Sequence, residues 1–363
     1  MKGPLNWKTL PFETAVKSRG SGSSGLPQNE WLVRGRYPVI GQGSANIEGW
    51  TDREDLLVTS ESGVVLYGGH TRRTKHVSQP FVPGPNVKIL QPISAINSKF
   101  LYYFLTQLPI QSRGYADHFP LVRESDIPVP TFLEQERIVK LLDETDELRK
   151  LRTLADRRAA DLIPALFHEM FGDPEVNQNN WPRVKVKDAV DLINGRAFKP
   201  TEWSKNGLPI IRIQNLKNAT ANFNLYDGSF DPKHRVKNGA LLISWAGQLV
   251  SFGVHIWDGP EGVLNQHIFK VEPRMTFEMP FLKHALSYVV ERAKSKFQGS
   301  EMKHLTRGTL DEAEILSPPL LLQKEFSQRV NEISELETAQ AASRQRVEHL
   351  FQSMLHRAFN QEL

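Results

Sequence analysis

Two hydrophobic rhythms alternate twice along this chain. Short apolar runs such as LLVTS (56–60), GVVLYGG (63–69), ALLISWAG (240–247) and HIFKVEP (267–273) are bounded by turn residues, the pattern of β-strands. In the same regions, SKFLYYFLTQLP (98–109) and MPFLKHALSYVVERAKSKF (279–297) space apolar residues three and four apart, which predicts one helix in each. A longer stripe then follows each region. After Pro130, Ile138, Leu141, Leu142, Thr145, Leu148, Ala155, Leu162, Leu166 and Phe167 recur near a seven-residue rhythm with charged residues between them. After Pro319, Phe326, Val330, Ile333, Leu336, Val347, Leu350, Phe351, Met354 and Leu355 do the same. Prolines at both mouths suit helix starts, and Pro164 predicts a kink or break about one turn before the first long helix ends.

The alternation is an internal repeat. IPVPTFLEQERIVKLL (127–142) and ILSPPLLLQKEFSQRV (315–330) place Pro130 and Gln135 against Pro318 and Gln323 at an offset of 188. Asn6-Trp7 returns as Asn180-Trp181 at 174, and Tyr37-Pro38-Val39-Ile40 as Leu208-Pro209-Ile210-Ile211 at 171. Leu166-Phe167 and Met170 return as Leu350-Phe351 and Met354 at 184. The offsets drift but the order holds, as expected of a tandem duplication with changed loops. The predicted fold class is α+β: two α/β lobes (1–130 and 174–318) and two long helices (131–173 and 319–363), related by a pseudo-twofold. At about 1.5 Å per residue each helix is a rod of roughly 45–60 Å. Antiparallel pairing would cover both apolar seams and hold two reading heads apart like a calliper.

Charge sharpens this picture. The lobes carry 14 basic against 10 acidic residues and 19 against 15, whereas the helical stretches carry 7 against 10 and 5 against 6. Two basic lobes point to a polyanionic partner. The chain has no cysteine, which excludes disulfides, thiolate metal sites and thiol nucleophiles, and no apolar run long enough for a membrane span. MKGPLNWKTLPFE lacks the apolar core of a signal peptide, so a soluble, cytoplasmic protein is expected.

Glycine-flanked segments carry the candidate chemistry. The first lobe offers Arg36, Gln42, Ser44 and Asn46 in residues 35–50, and His70, Arg72, Arg73 and Lys75 in residues 68–76. The second offers Arg212, Gln214, Asn215 and Lys217, then Gln248, then Lys296, Gln298 and Lys303. Arginine and lysine pair with guanine edges and phosphates, and asparagine and glutamine bond adenine, so this mixture suits direct reading of DNA. Gly41-Gln42-Gly43 lacks the third glycine of a dinucleotide loop, and His168-Glu169 has Gly172 where a zinc-protease helix needs its second histidine. GSGSSG (20–25) reads as a flexible loop. GxxxxGK[ST], GxSxG, HExxH and the Asn/Asp-Pro-Pro-aromatic motif are absent; Ser317-Pro318-Pro319-Leu320 is similar to the last only superficially.

IPVPTFLEQERIVKLLDE (127–144), LSPPLLLQKEF (316–326), YPVIGQGSANIEGW (37–50) and ALFHEMFGD (165–173) resemble the specificity subunit of type I restriction-modification systems, along the whole chain. The second copy departs from the first in having Leu322-Gln323 for Glu134-Gln135 and in ending MLHRAFNQEL. The resemblance implies that the lobes are target-recognition domains, each reading half of an asymmetric bipartite DNA site, with the helices setting the spacer. It implies a non-catalytic chain that docks modification subunits using S-adenosylmethionine and restriction subunits using ATP and Mg. Phe167, Met170 and Phe171 are candidate docking residues, although burial between helix and lobe is an equally good reading of them. A stand-alone DNA-binding regulator and a protein-binding scaffold are the rival readings.

Overall fold

The structure, a computed structural model, describes residues 7–20, 25–218, 221–246, 251–295, 306–360 and 362, with the Lys217 side chain excepted. The chain divides into two compact units, Met1–Leu154 with Ala341–Leu363, and Ala155–Gln340.

The two lobes repeat one topology. In the first, the strands Val16–Gly20, Val87–Pro92, Val64–Gly68 and Thr74–Val77 lie side by side in that order, all antiparallel. In the second, Val190–Asn194, Ile268–Pro273, Leu241–Ser244 and Gly253–Ile256 do the same. A smaller sheet centres on Tyr37–Ile40, antiparallel to Gly49–Thr51 and parallel to Val82–Pro83. Its counterpart centres on Leu208–Ile211, antiparallel to Leu225–Tyr226 and parallel to Gly262–Leu264, with Arg235–Val236 added at the edge. Each lobe closes with a two-stranded ribbon, Lys8–Pro11 with Asp126–Val129 and Arg183–Lys185 with Glu314–Leu316.

Why the central strands are continuously apolar follows from this layering. Successive side chains of a strand face opposite sides of a sheet, and here both sides are covered. Val65 and Tyr67 join a core with the lobe helix Ser98–Gln107, while Val64 and Leu66 join a second core with Ile40 and Phe81. Leu241 and Ile243 likewise face the lobe helix Met279–Ser295, and Leu242 faces Ile211 and Leu264.

The first long stripe folds as two helices, Phe132–Ala160 and Leu162–Phe171. The break lies further from the end than the proline's own position implies. Proline has no N–H and its ring collides with the carbonyl four residues earlier, which for Pro164 is that of Ala160, where the first helix stops. The second stripe is unbroken from Leu320 to Phe359.

The repeated glutamine explains the repeated sequence at the helix mouths. Gln135 is fully buried; its Nε2 donates to the carbonyls of Ala95 (2.9 Å) and Pro130 (3.0 Å), and its Oε1 accepts from the N–H of Asn97 (2.7 Å). Gln323 repeats the arrangement, donating to the Pro318 carbonyl (2.8 Å) and accepting from the N–H of Glu278 (3.1 Å). Each glutamine ties the mouth of a long helix to the start of its lobe helix, satisfying backbone groups that burial would leave stranded.

The phenylalanine of the repeated Leu-Phe pair anchors the far ends, while Leu350 stays about half exposed. In the first unit, Phe351, Leu355 and Ala358 from the end of the last helix pack with Phe100, Ile138 and Leu142. Thr145 meets the Met354 sulfur at 3.3 Å and Arg149 meets Glu348 at 2.9 Å, so these helix segments run antiparallel. In the second unit, Leu166, Phe167 and Phe171 pack with Phe281, Phe326 and Val330. Each unit therefore combines one lobe, the start of that lobe's own long helix and the end of the other repeat's. Leu148 and Leu151 remain about half exposed.

Candidate nucleic-acid interface

Three connections of the first lobe meet: residues 41–48 after Tyr37–Ile40, the hairpin turn 69–73, and residues 108–118 after the lobe helix. Thr71 Oγ1 donates to the Gln42 carbonyl (2.8 Å), and the N–H of His70 approaches Gln42 Oε1 (3.4 Å). Gly68 permits the approach, since a Cβ there would lie 2.4 Å from Thr71 Oγ1 and 2.7 Å from the Gln42 Cβ. Arg72 occupies the left-handed region at φ +58° and donates from Nη1 to the Ile110 carbonyl at 2.9 Å. The His70 ring stacks on Tyr115 with centroids 4.7 Å apart and planes 4° off parallel.

The candidates divide on these contacts. Ser44, Asn46 and Arg73 are exposed, and Arg36 is exposed at 3.8 Å from Glu54. Lys75 has a framework place instead. Its Nζ lies 2.7 Å from Glu48 Oε1 and 2.6 Å from the Ala45 carbonyl, with both side chains of the ion pair almost covered. Glu48 also accepts from the Gly43 N–H (2.8 Å), so the pair shapes the 41–48 loop from beneath. The neighbouring His76, 2.9 Å from Ser98 Oγ, has its pKa pushed down to about 4, mainly by burial and secondarily by the Lys99 charge.

The second lobe fills the segment after Leu208–Ile211 with a short helix, Ile213–Lys217. Gln214 is exposed, whereas Asn215 is buried and caps the turn, its Oδ1 accepting from the Arg212 N–H at 3.0 Å. The Arg212 guanidinium lies 4.8 Å from the Trp203 ring, and its buried Nε has no hydrogen-bond partner. Lys217 ends the helix; its side chain, like Gln248, Lys296, Gln298, Lys303 and most of GSGSSG, lies outside what the structure describes.

For docking, the structure corrects the candidates. Phe167 and Phe171 are interior, in ring contact with Phe281 and Phe326, so neither is free to meet a partner; Met170 is only partly buried. Sequence reasoning also missed three residues. Tyr115 and His118 lie in QSRGYADHF, where the Gly114 turn and its flanking aromatics are the available signal. Arg196 lies 4.5 Å from the Phe198 ring and 4.9 Å from the Tyr226 ring, and bonds the Tyr226 hydroxyl at 2.7 Å. Among the described residues, no group of three His, Asp or Glu side chains could hold a metal ion, and no helix is long and apolar enough to cross a membrane.

Known proteins resemble this chain in sequence and in fold. Residues 178–349 match the type I restriction modification DNA specificity domain. The chain is similar in sequence to type I restriction-modification specificity subunits. It is 28% identical over 157 residues to the EcoBI specificity subunit of Escherichia coli, covering 42% of this chain and 32% of that protein. It is 23% identical over 242 residues to the MjaVIII specificity subunit of Methanocaldococcus jannaschii, covering 60% and 56%. The matches thus span about a third and somewhat over half of those relatives. The fold is shared almost end to end with the type I S subunit from M. genitalium (TM-score 0.58, 16% identity, 99% and 98% covered). It is also shared with a chain solved in work on complex assembly and conformational transition of the type I system (TM-score 0.61, 16% identity, both chains fully covered). The specificity-domain match takes in the second lobe; the first shares that lobe's strand order.

Proposed function

We propose that this chain is the non-catalytic DNA-recognition subunit of a cytoplasmic type I restriction-modification complex. Each lobe reads one half of an asymmetric bipartite site in double-stranded DNA, and the long helices fix the spacer. Adenine-methyltransferase subunits carrying S-adenosylmethionine and restriction subunits using ATP and Mg dock on it. The observation that carries the reading is that two lobes of one strand order present different side chains on a corresponding connection: exposed Ser44 and Asn46 after Tyr37–Ile40, against exposed Gln214 and buried Asn215 after Leu208–Ile211. A common framework with divergent loops is what two readers of two different half-sites require. Basic residues would supply salt-dependent attraction to phosphate, and Ser44, Asn46, Arg73 and Gln214 would supply base contacts.

The test is methylation sequencing of DNA treated with the modification subunit, with and without this chain. A bipartite methyladenine motif that appears only with the chain supports the reading. Tight, salt-sensitive DNA binding by the chain alone with no motif favours a regulator. Absence of both leaves a scaffold.

A further inference from the structure

Tyr115 is 84% exposed, the most open aromatic side chain among the described residues, yet its loop is held in place. Gly114, at φ +70°, makes the turn that presents it. Its carbonyl lies 3.0 Å from His70 Nδ1, and one face of its ring is stacked on that imidazole. Behind it, His118 is fully buried and bonds the Gly69 carbonyl twice, from its N–H (2.8 Å) and from Nδ1 (3.0 Å). His118 Nε2 accepts from the N–H of Arg113 at 2.9 Å, which leaves Nδ1 to donate to the Gly69 carbonyl. The hairpin turn and the 108–118 loop are thereby locked together, with an aromatic ring held out against His70. An ordered, uncovered ring does little for folding, since its apolar surface stays in water.

We propose, building on the specificity-subunit reading, that Tyr115 is a specificity-determining residue of the first lobe, contacting a thymine methyl group in the major groove of that lobe's half-site. A side chain wedged between base pairs needs both ring faces free, and His70 covers one. What remains is a free face and an edge. The apolar feature that distinguishes one base pair from another in the major groove is the C5-methyl of thymine.

The experiment uses the complex of this chain with its modification subunit on a library randomised across the site, comparing wild type, Tyr115→Ala and Tyr115→Phe. Tyr115→Ala is expected to lose about five- to a hundred-fold of the preference for thymine at one position of one half-site, as a single mismatch does. Tyr115→Phe should keep the preference, and the other half-site should be unchanged in both variants. Replacing that thymine by deoxyuridine, which lacks the methyl, should penalise wild type and leave Tyr115→Ala indifferent. An unchanged motif with Tyr115→Ala overturns the proposal, while a bipartite wild-type motif leaves the specificity-subunit reading standing. An equal deoxyuridine penalty in both proteins overturns the methyl contact. No motif from wild type overturns both readings.

Discussion

In the first lobe, the segment after Tyr37–Ile40 is a loop shaped by the Lys75–Glu48 pair; in the second, the segment after Leu208–Ile211 is a short helix capped by buried Asn215. The helix mouths, by contrast, agree: Gln135 and Gln323 each donate to the carbonyl of the proline five residues earlier and accept from a backbone N–H at the start of the lobe helix. The agreement lies where the helix mouths are tied to the lobe helices, and the divergence in the connections that carry the exposed Ser44, Asn46 and Gln214. A duplicated protein can alter its loops without cost to the fold, because sheet order and helix mouths are held by other residues. If the comparison is right, damage to the framework has parallel effects in the two lobes, and damage to loops does not.

The largest expected effect tests the exchange of helix ends. A chain ending at Gln340 loses Phe351, Leu355 and Ala358 from the first lobe's core and nothing from the second's. Truncating a buried phenylalanine costs about 3–5 kcal/mol and a buried leucine about 2–5 kcal/mol, so losing Phe351 and Leu355 removes an amount comparable to the whole stability of an ordinary domain. Hydrogen exchange should show the strands Val64–Gly68 and Val87–Pro92 unprotected and the strands Leu241–Ser244 and Ile268–Pro273 still protected; equal loss in both would deny the exchange. Single replacements come next. Phe171→Ala should cost the second lobe, and Phe351→Ala the first, about 3–5 kcal/mol each in chemical denaturation. A cost that falls on the lobe of the same repeat would contradict the packing.

The glutamines make a finer comparison. Replacing either by alanine strands a buried proline carbonyl and one or two partly covered backbone groups, at about 1–3 kcal/mol. Gln135 serves three groups and Gln323 two among the bonds described, so Gln135→Ala should cost more. Denaturation midpoints that rank them the other way would show that helix packing, not the hydrogen bonds, holds the mouths.

These elements differ in how far the sequence disclosed them. The strands were readable because Val64–Gly68 and Leu241–Ser244 are apolar on both faces and end at turn residues. The repeat was readable because Pro130 and Pro318 and the glutamines after them recur in order. The exchange of helix ends was not, since a stripe such as Leu166, Phe167 and Met170 announces burial without naming the partner surface. Residue type likewise misassigned Lys75 and Asn215. Both have base-reading chemistry, and only their covered positions against Glu48 and the Arg212 N–H reveal a framework role. Tyr115 was overlooked because its loop is ordered by a tertiary bond from His118 to Gly69, 49 residues away, which no local pattern contains.

The smallest expected effect is in acid, and it separates the lobes again. His76 in the first lobe and His284 in the second both have pKa values pushed down to about 4, chiefly by burial; Lys99 adds to this at His76 and Lys283 at His284, while Asp143 opposes it at His76. An unfolded histidine titrates near 6.5, so below that pH the unfolded chain takes up protons that the folded lobes refuse. The stability each neutral ring contributes is therefore complete above about pH 6.5 and is lost as pH falls toward 4. His76 sits on a hairpin strand beside Ser98, whereas His284 lies on the lobe helix among Phe167 and Phe326, so the devices are unrelated in position although alike in sign. His76→Gln should flatten the acid slope of the first lobe alone, and His284→Gln that of the second alone, when exchange protection is followed from pH 7 to 4.5. If either replacement flattens both slopes, the lobes unfold as one unit, and the independence that the divergent loops imply does not extend to their stability.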